Sequence, residues 1–158
     1  MDKGRILQSY EFAREKYAAL GVDTDQAIRK LDLVKISLHC WQTDDVSGFE
    51  NPDAVLSGGI QATGNNTGKA RTIEEARADL EKVYSLLPGR HRLSLHAIYG
   101  DFRKGKAERD KIEPKHFESW VNWAKEKGIG LDFNCTMFSH PKADSGFTLS
   151  HPDAGIRK

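Results

Sequence analysis

Polar side chains that could do chemistry gather in three places along this sequence, each at or just after a predicted strand. The first cluster is His39-Cys40-Trp41-Gln42-Thr43-Asp44-Asp45, the second is His96-Ala97-Ile98-Tyr99, and the third is Asn134 with Phe138-Ser139-His140-Pro141. In parallel α/β architectures, the carboxyl ends of the strands form the binding face. The sequence therefore predicts that the three clusters lie along one edge of a sheet.

His96 has the strongest case for a binding role. It is a lone polar ring within a strongly apolar strand, and Ile98 and Tyr99 follow it. A polar ring beside an apolar wall suits a deoxy sugar, whose hydroxyl groups need hydrogen-bond partners and whose methyl group needs a dry contact. A histidine with a purely structural hydrogen bond is the alternative interpretation.

Metal sites are less well supported by the spacing of the candidate ligands. The four residues His39, Cys40, Cys135 and His140 lack the short paired spacings of zinc ligands, so we interpret them as small buried thiols and hydrogen-bonded histidines. Asp44-Asp45 supplies too few oxygen ligands for a hard cation. We therefore predict no metal ligands in this chain.

Phosphate binding and nucleophilic catalysis are not supported either. The glycine-rich run over residues 58–70 has Thr63 where a phosphate-binding loop needs glycine, and Ala70 where it needs a hydroxyl group. Neither cysteine has a sequence context that identifies an activating base.

The predicted secondary structure alternates between strand and helix. Alternating apolar residues predict strands over 34–39, 92–99 and 131–135. A capping box at Thr72-Ile73-Glu74-Glu75 opens the helix after the first strand, and a second helix runs from Pro114 to Gly128. This order predicts an α/β fold with parallel strands joined by right-handed crossovers.

Smaller features complete this prediction. Two short helices precede the first strand, and Thr24 caps the one nearer to that strand. The long segment from Cys40 to Arg71 is interpreted as an ordered functional loop. Ser37-Leu38-His39 is echoed by Ser94-Leu95-His96. Either serine and histidine share one face at a polar barrel mouth while leucine faces the helices, or the echo is coincidence.

Composition excludes several classes of protein. The 158 residues are 38% hydrophobic and 30% charged with a formal net charge of +1, which is typical of a globular domain without a general attraction to nucleic acid or anionic lipid. The N-terminus has no apolar signal segment, and no stretch approaches the ~20 apolar residues of a membrane span. We expect a cytoplasmic protein with both thiols reduced.

Six segments in the same order together resemble the N-terminal region of the L-rhamnose isomerase family. They are His39-Cys40-Trp41-Gln42, residues 44–52, residues 58–65, Leu95-His96-Ala97-Ile98-Tyr99, Leu131-Asp132-Phe133-Asn134 and Phe138-Ser139-His140-Pro141. The resemblance implies a (β/α)8 TIM-type barrel, a homotetramer, and interconversion of L-rhamnose and L-rhamnulose. It also implies a divalent metal, commonly Mn²⁺, that holds sugar oxygens as a Lewis acid while a hydrogen moves between C1 and C2.

The resemblance also assigns roles to individual residues of this chain. The substrate-binding set that it implies is His96, Trp41, Val46, Leu56, Ile98 and Tyr99. In this set His96 bonds the sugar near its ring oxygen, and Trp41 lies close to the substrate. The four remaining residues line the pocket for the sugar's methyl group. The family's metal ligands lie on later strands, so none is assigned here.

The length departs from the family pattern. A TIM barrel needs about 250 residues, whereas this sequence carries about three strand–helix units. A helix start at Ser150-His151-Pro152-Asp153 is followed by few residues. We therefore interpret residues 1–158 as the N-terminal segment of a barrel domain, truncated, and expect the chain alone to be neither a stable monomer nor an active isomerase. The alternative is a short, non-catalytic α/β domain that binds carbohydrate or a partner.

Overall fold

A computed structural model describes residues 2–39, 48–50, 70–137 and 148–157 of the chain. The chain divides into two compact units. One comprises residues 1–36 and 88–90, and the other comprises residues 37–87 and 91–158. The prediction that residues 1–158 form one segment of a barrel domain is not tested by this division and stays a prediction.

The described elements follow the predicted alternation of helix and strand. They are α1 (Lys3–Ala18), α2 (Thr24–Leu31), β1 (Lys35–Leu38), α3 (Ile73–Leu86), β2 (Arg90–His96), α4 (Glu118–Lys127) and β3 (Gly130–Asn134). Short 3-10 turns cover Ala97–Tyr99, Arg109–Lys111 and Pro114–Phe117.

Helices α1 and α2 belong to the first unit. The carboxylate of Asp23 accepts a hydrogen bond of 2.9 Å from the backbone N–H of Gln26, which makes Asp23 the N-cap of α2. The prediction that Thr24 caps this helix is therefore wrong by one residue. Asp23 suits the N-cap position because its carboxylate accepts this hydrogen bond and is also stabilised by the positive end of the helix dipole. The Tyr10 hydroxyl donates to Asp25 over 2.6 Å and joins the two helices.

Helix α3 begins where the capping box predicts. The Thr72 hydroxyl accepts from the backbone N–H of Glu75 over 3.1 Å, and the Glu75 carboxylate accepts from the backbone N–H of Arg71 over 2.6 Å. The return bond thus reaches one residue further back than in the standard motif. The face of α3 that follows buries Ile73, Ala76 and Leu80.

The sheet has the strand order β1-β2-β3, and β2 and β3 are parallel with Arg92 opposite Gly130 and His96 opposite Asn134. The predicted α/β class and parallel arrangement are confirmed for this small sheet. The predicted second strand is wrong at its end, because β2 stops at His96 and residues 97–99 form a 3-10 turn. The backbone groups of that turn bond to other elements instead of continuing the ladder.

The core lies between this sheet and its helices. Leu93 and Leu95 of β2 are buried, as the predicted alternation requires, and they share a cluster with Leu80 of α3 and Trp120 of α4. Gly128 ends α4 with φ 67°, a left-handed conformation that glycine adopts without steric cost. Because Leu93 and Leu95 belong to the core, the C-terminal half of β2 is anchored in it.

The predicted helix start at Ser150 is wrong. Residues 148–157 form turns and bends. Asp153 accepts a bond of 2.6 Å from the backbone N–H of Gly155, and the ring of His151 accepts one of 3.0 Å from that of Asp153. Local bonds between side chain and backbone of this kind compete with a helix.

Candidate functional site

The two histidines of the repeated Ser-Leu-His segment meet at the ends of neighbouring strands. His39 directly follows β1 and His96 is the last residue of β2. The Nε2 atoms of the two rings are 3.1 Å apart, and the ring centroids are 4.4 Å apart in an edge-to-face arrangement. One ring nitrogen donates and the other accepts in such a bond. The echo thus places a pair of imidazoles at the edge of the sheet where binding chemistry is expected.

The structure also brings together the three described members of the predicted substrate-binding set. The rings of His96 and Tyr99 lie 5.1 Å apart, and Ile98 stands between them in sequence. All three are buried, with 1% of His96, 5% of Ile98 and 2% of Tyr99 exposed. The imidazole of His96 therefore lies beside the ring of Tyr99, and little of either surface is exposed. Their roles as sugar contacts stay a prediction.

The backbone of the 97–99 turn is held by three elements that are distant in sequence. The Ala97 N–H donates to the Thr136 hydroxyl over 3.1 Å. The Ile98 carbonyl accepts from the Phe49 N–H over 2.6 Å, and the Tyr99 carbonyl accepts from the Trp120 indole over 2.7 Å. Each residue of the turn thus has one backbone group fixed from outside, which gives the turn a single position.

Segment 48–50 packs directly onto this turn. Gly48 has φ 67°, and a Cβ atom built on it would lie 2.4 Å from both the Cβ and the carbonyl oxygen of Ile98. Only glycine allows this approach. The Phe49 ring lies 5.9 Å from the Tyr99 ring. The segment therefore contacts both Ile98 and Tyr99 of the predicted pocket wall.

Thr136 is a residue of this site that the sequence did not reveal. It is fully buried and has φ 51°, which is unusual for a β-branched residue. The Asn134 side chain accepts from its N–H over 2.8 Å, and its hydroxyl donates to the Asn134 carbonyl over 3.1 Å. These bonds compensate a backbone strain of about 1–3 kcal/mol. Strain of this kind leaves no mark in the local sequence.

Two carboxyl groups of the second unit have strongly lowered pKa values. Hydrogen bonds from Arg103 lower the pKa of Asp101 from 3.8 to about 2. Hydrogen bonds from Arg92, and then from Ser37, lower the pKa of Asp132 from 3.8 to about 2. Because an arginine holds each group ionised, both suit structural ion pairs better than proton transfer.

The part of the chain that the structure describes does not fit a divalent metal. It contains no group of three or more histidine, cysteine, aspartate or glutamate side chains that could hold an ion. Cys135 is exposed, so the prediction of a buried thiol is wrong there. It follows β3, the last strand in the sheet order, while its neighbour Thr136 takes the buried position. Cys40, His140 and Asp44-Asp45 lie outside the described residues.

A cavity of about 800 Å³ lies next to the 97–99 turn. Its lining includes Ala97, Phe133, Thr136 and Leu149. The described members of the predicted substrate-binding set, His96, Ile98 and Tyr99, do not line it. The predicted contacts Trp41, Val46 and Leu56 lie outside the described residues. Among the described helices, none is long and apolar enough to cross a membrane.

Comparison with known proteins covers nearly the whole chain. A family model described as L-rhamnose isomerase (RhaA) matches residues 4–158. The L-rhamnose isomerase of Rhodopirellula baltica is 54% identical over 155 residues, which cover 98% of this chain and 36% of the relative. Those of Salmonella paratyphi B and Salmonella typhimurium are 56% identical over 154 residues, with the same coverage. The chain spans about a third of the length of these curated relatives, and it belongs to the L-rhamnose isomerase family.

Proposed function

We propose that this chain forms part of the substrate pocket of a metal-dependent aldose–ketose isomerase that interconverts L-rhamnose and L-rhamnulose. The observation that carries the proposal is the match of residues 4–158 to the L-rhamnose isomerase family. The buried imidazole beside an apolar turn at the end of β2 supports it. L-rhamnose combines several hydroxyl groups with one methyl group. Its hydroxyl groups need hydrogen-bond partners such as the imidazole, and its methyl group needs an apolar contact such as the turn.

In this proposal His96 binds a sugar oxygen near the ring oxygen. Its Nε2 atom is 3.1 Å from His39, so the sugar either bonds the other ring nitrogen or displaces His39. Ile98 and Tyr99 form the dry side of the pocket, because their side chains are buried and exclude water. Hydrogen bonds to their backbone carbonyls hold both residues in place. Fixed walls reduce the cost of ordering the site when substrate binds.

The remaining members of the predicted set extend this pocket. Val46 and Leu56 join the wall for the methyl group, and Trp41 lies close to the substrate. Gly48 and Phe49, which lie on Ile98 and near Tyr99, follow Val46 by only two and three residues. This short spacing along the chain supports the assignment of Val46.

The larger architecture is also part of the proposal. The parallel strands and the helices between them suit the first part of a (β/α)8 barrel. We propose a cytoplasmic homotetramer. The divalent metal, with Mn²⁺ as the expected ion, supplies Lewis-acid chemistry for the hydrogen shift between C1 and C2. Its ligands belong, as the family resemblance implies, to later strands of the family fold.

The test uses a grafted enzyme, in which this chain replaces the 155 matched residues of the Rhodopirellula baltica relative. His96→Ala in the grafted enzyme should lower turnover of L-rhamnose by about tenfold or more, the value of one hydrogen bond, and leave the manganese content unchanged. His91→Ala, also in β2, is the matched control and should have little effect. Loss of manganese would mean that His96 is a metal ligand, and unchanged kinetics would mean that it is structural.

A further inference from the structure

Arg109 and Glu50 form an ion pair between segments 59 residues apart. The Arg109 Nη2 atom lies 2.8 Å from one carboxylate oxygen of Glu50, and Nε lies 3.4 Å from the other. A further N–H of Arg109 donates to the backbone carbonyl of Thr136. We call these three residues the Arg109 clamp.

The clamp differs from the surface ion pairs of the same unit. Both side chains of the Arg109–Glu50 pair are 17% exposed, whereas those of the Arg103–Glu74 pair are 61% and 60% exposed. Exposed pairs contribute little, but removal of one partner from a shielded pair leaves the other charge poorly solvated. Breaking the Arg109–Glu50 pair should therefore cost more free energy than breaking an exposed pair.

The clamp acts on the predicted pocket wall through short connections. Glu50 adjoins Phe49, whose N–H donates to the Ile98 carbonyl over 2.6 Å. On the other side, Arg109 holds the carbonyl of Thr136, whose hydroxyl accepts from the Ala97 N–H. One guanidinium group thus bonds Thr136, which holds Ala97, and Glu50, the chain neighbour of the residue that holds Ile98.

We propose that Arg109 is a positioning residue for the sugar pocket, because the Arg109 clamp presses segment 48–50 onto Ile98 and so sets the place of the wall that receives the sugar's methyl group. This inference rests on the proposed function. The planar guanidinium is needed because it donates to a carboxylate and to a carbonyl at once, which a lysine ammonium does less well.

The test measures two quantities in the grafted enzyme. The first is hydrogen exchange of the Phe49 amide, followed by mass spectrometry of the peptide that contains it. The second is the preference for L-rhamnose over L-lyxose, the pentose that lacks the methyl carbon, expressed as the ratio of kcat/KM values. The variants are Arg109→Met, Arg109→Lys and Glu50→Gln, and Arg103→Met is the matched control.

We expect Arg109→Met and Glu50→Gln to accelerate exchange of the Phe49 amide by about tenfold or more. The same variants should lower the preference for L-rhamnose about three- to fivefold, the value of one lost methyl contact. Arg109→Lys should fall between these variants and the parent, and Arg103→Met should match the parent in both quantities.

Three outcomes separate the inference from the function on which it rests. Unchanged exchange at Phe49 in Arg109→Met would overturn the clamp. Faster exchange with an unchanged sugar preference would overturn the positioning role. A grafted parent that keeps Phe49 protected but does not convert L-rhamnose would overturn the proposed function, and with it the sugar as the object of positioning.

Discussion

The contact between Gly48 and Ile98 allows a prediction with a worked magnitude. In Gly48→Ala, the new Cβ atom would lie 2.4 Å from the Cβ and the carbonyl oxygen of Ile98, and the backbone would keep φ near 67°. The left-handed conformation costs alanine about 1–2 kcal/mol. Overpacking against the fixed turn adds about 1–3 kcal/mol. Segment 48–50 can relieve the backbone strain and the overpacking by moving away from Ile98. The free energy of its local opening should therefore fall by about 2–5 kcal/mol in total.

Hydrogen exchange of the Phe49 amide in the grafted enzyme measures this opening, because that amide bonds the Ile98 carbonyl. The rate should rise by at least about 25-fold, since the lower end of this range is about 2 kcal/mol and 1.4 kcal/mol corresponds to a factor of ten. Gly128→Ala is the matched control, because Gly128 also has φ 67° but no heavy atom within 4 Å of the added Cβ. It should open only the end of α4. An equal rise at Phe49 in both variants, or none in Gly48→Ala, would refute the contact.

Three further predictions concern the turn and its surroundings. Trp120→Phe leaves the buried Tyr99 carbonyl without its indole donor and should cost about 1–3 kcal/mol, read as a lower thermal midpoint. Ile98→Thr should lower the preference for L-rhamnose over L-lyxose about fourfold in steady-state kinetics, whereas equal losses for both sugars would contradict the pocket assignment. The pKa of Asp101 is about 2 in the folded protein against 3.8 ordinarily, so its contribution to stability is complete above about pH 4 and is lost as the pH falls toward 2. Asp101→Asn should weaken that decline in acid unfolding, and an unchanged decline would argue against the pair with Arg103.

Local sequence signals predicted the start of α3 and the end of α4, but not the start of α4, because the helix predicted from Pro114 opens with a 3-10 turn over Pro114–Phe117. The capping box located the start of α3 at Ile73, and Gly128 located the end of α4. Both signals work because a helix end must satisfy its own backbone groups with nearby residues. The prediction of Thr24 as the cap of α2 was wrong because the residue before it, Asp23, suits that position equally well and takes it.

The site could be predicted only in part. The resemblance and the strand pattern pointed to His96, Ile98 and Tyr99, but not to the end of β2 at His96. Residues 97–99 are apolar, so their pattern continues the strand, and only bonds from distant residues show that the ladder has stopped. The Arg109 clamp was missed for the same reason, because its partners lie 59 and 27 residues away along the chain.

The most direct measurement is the conversion of L-rhamnose by the grafted enzyme, with L-lyxose as the second substrate. If this chain supplies the sugar pocket, the grafted enzyme should convert L-rhamnose with a kcat/KM within about tenfold of the parent relative, and one methyl contact should favour L-rhamnose over L-lyxose by about fourfold. A grafted enzyme that folds and binds manganese like its parent, yet does not form L-rhamnulose, would contradict the central claim.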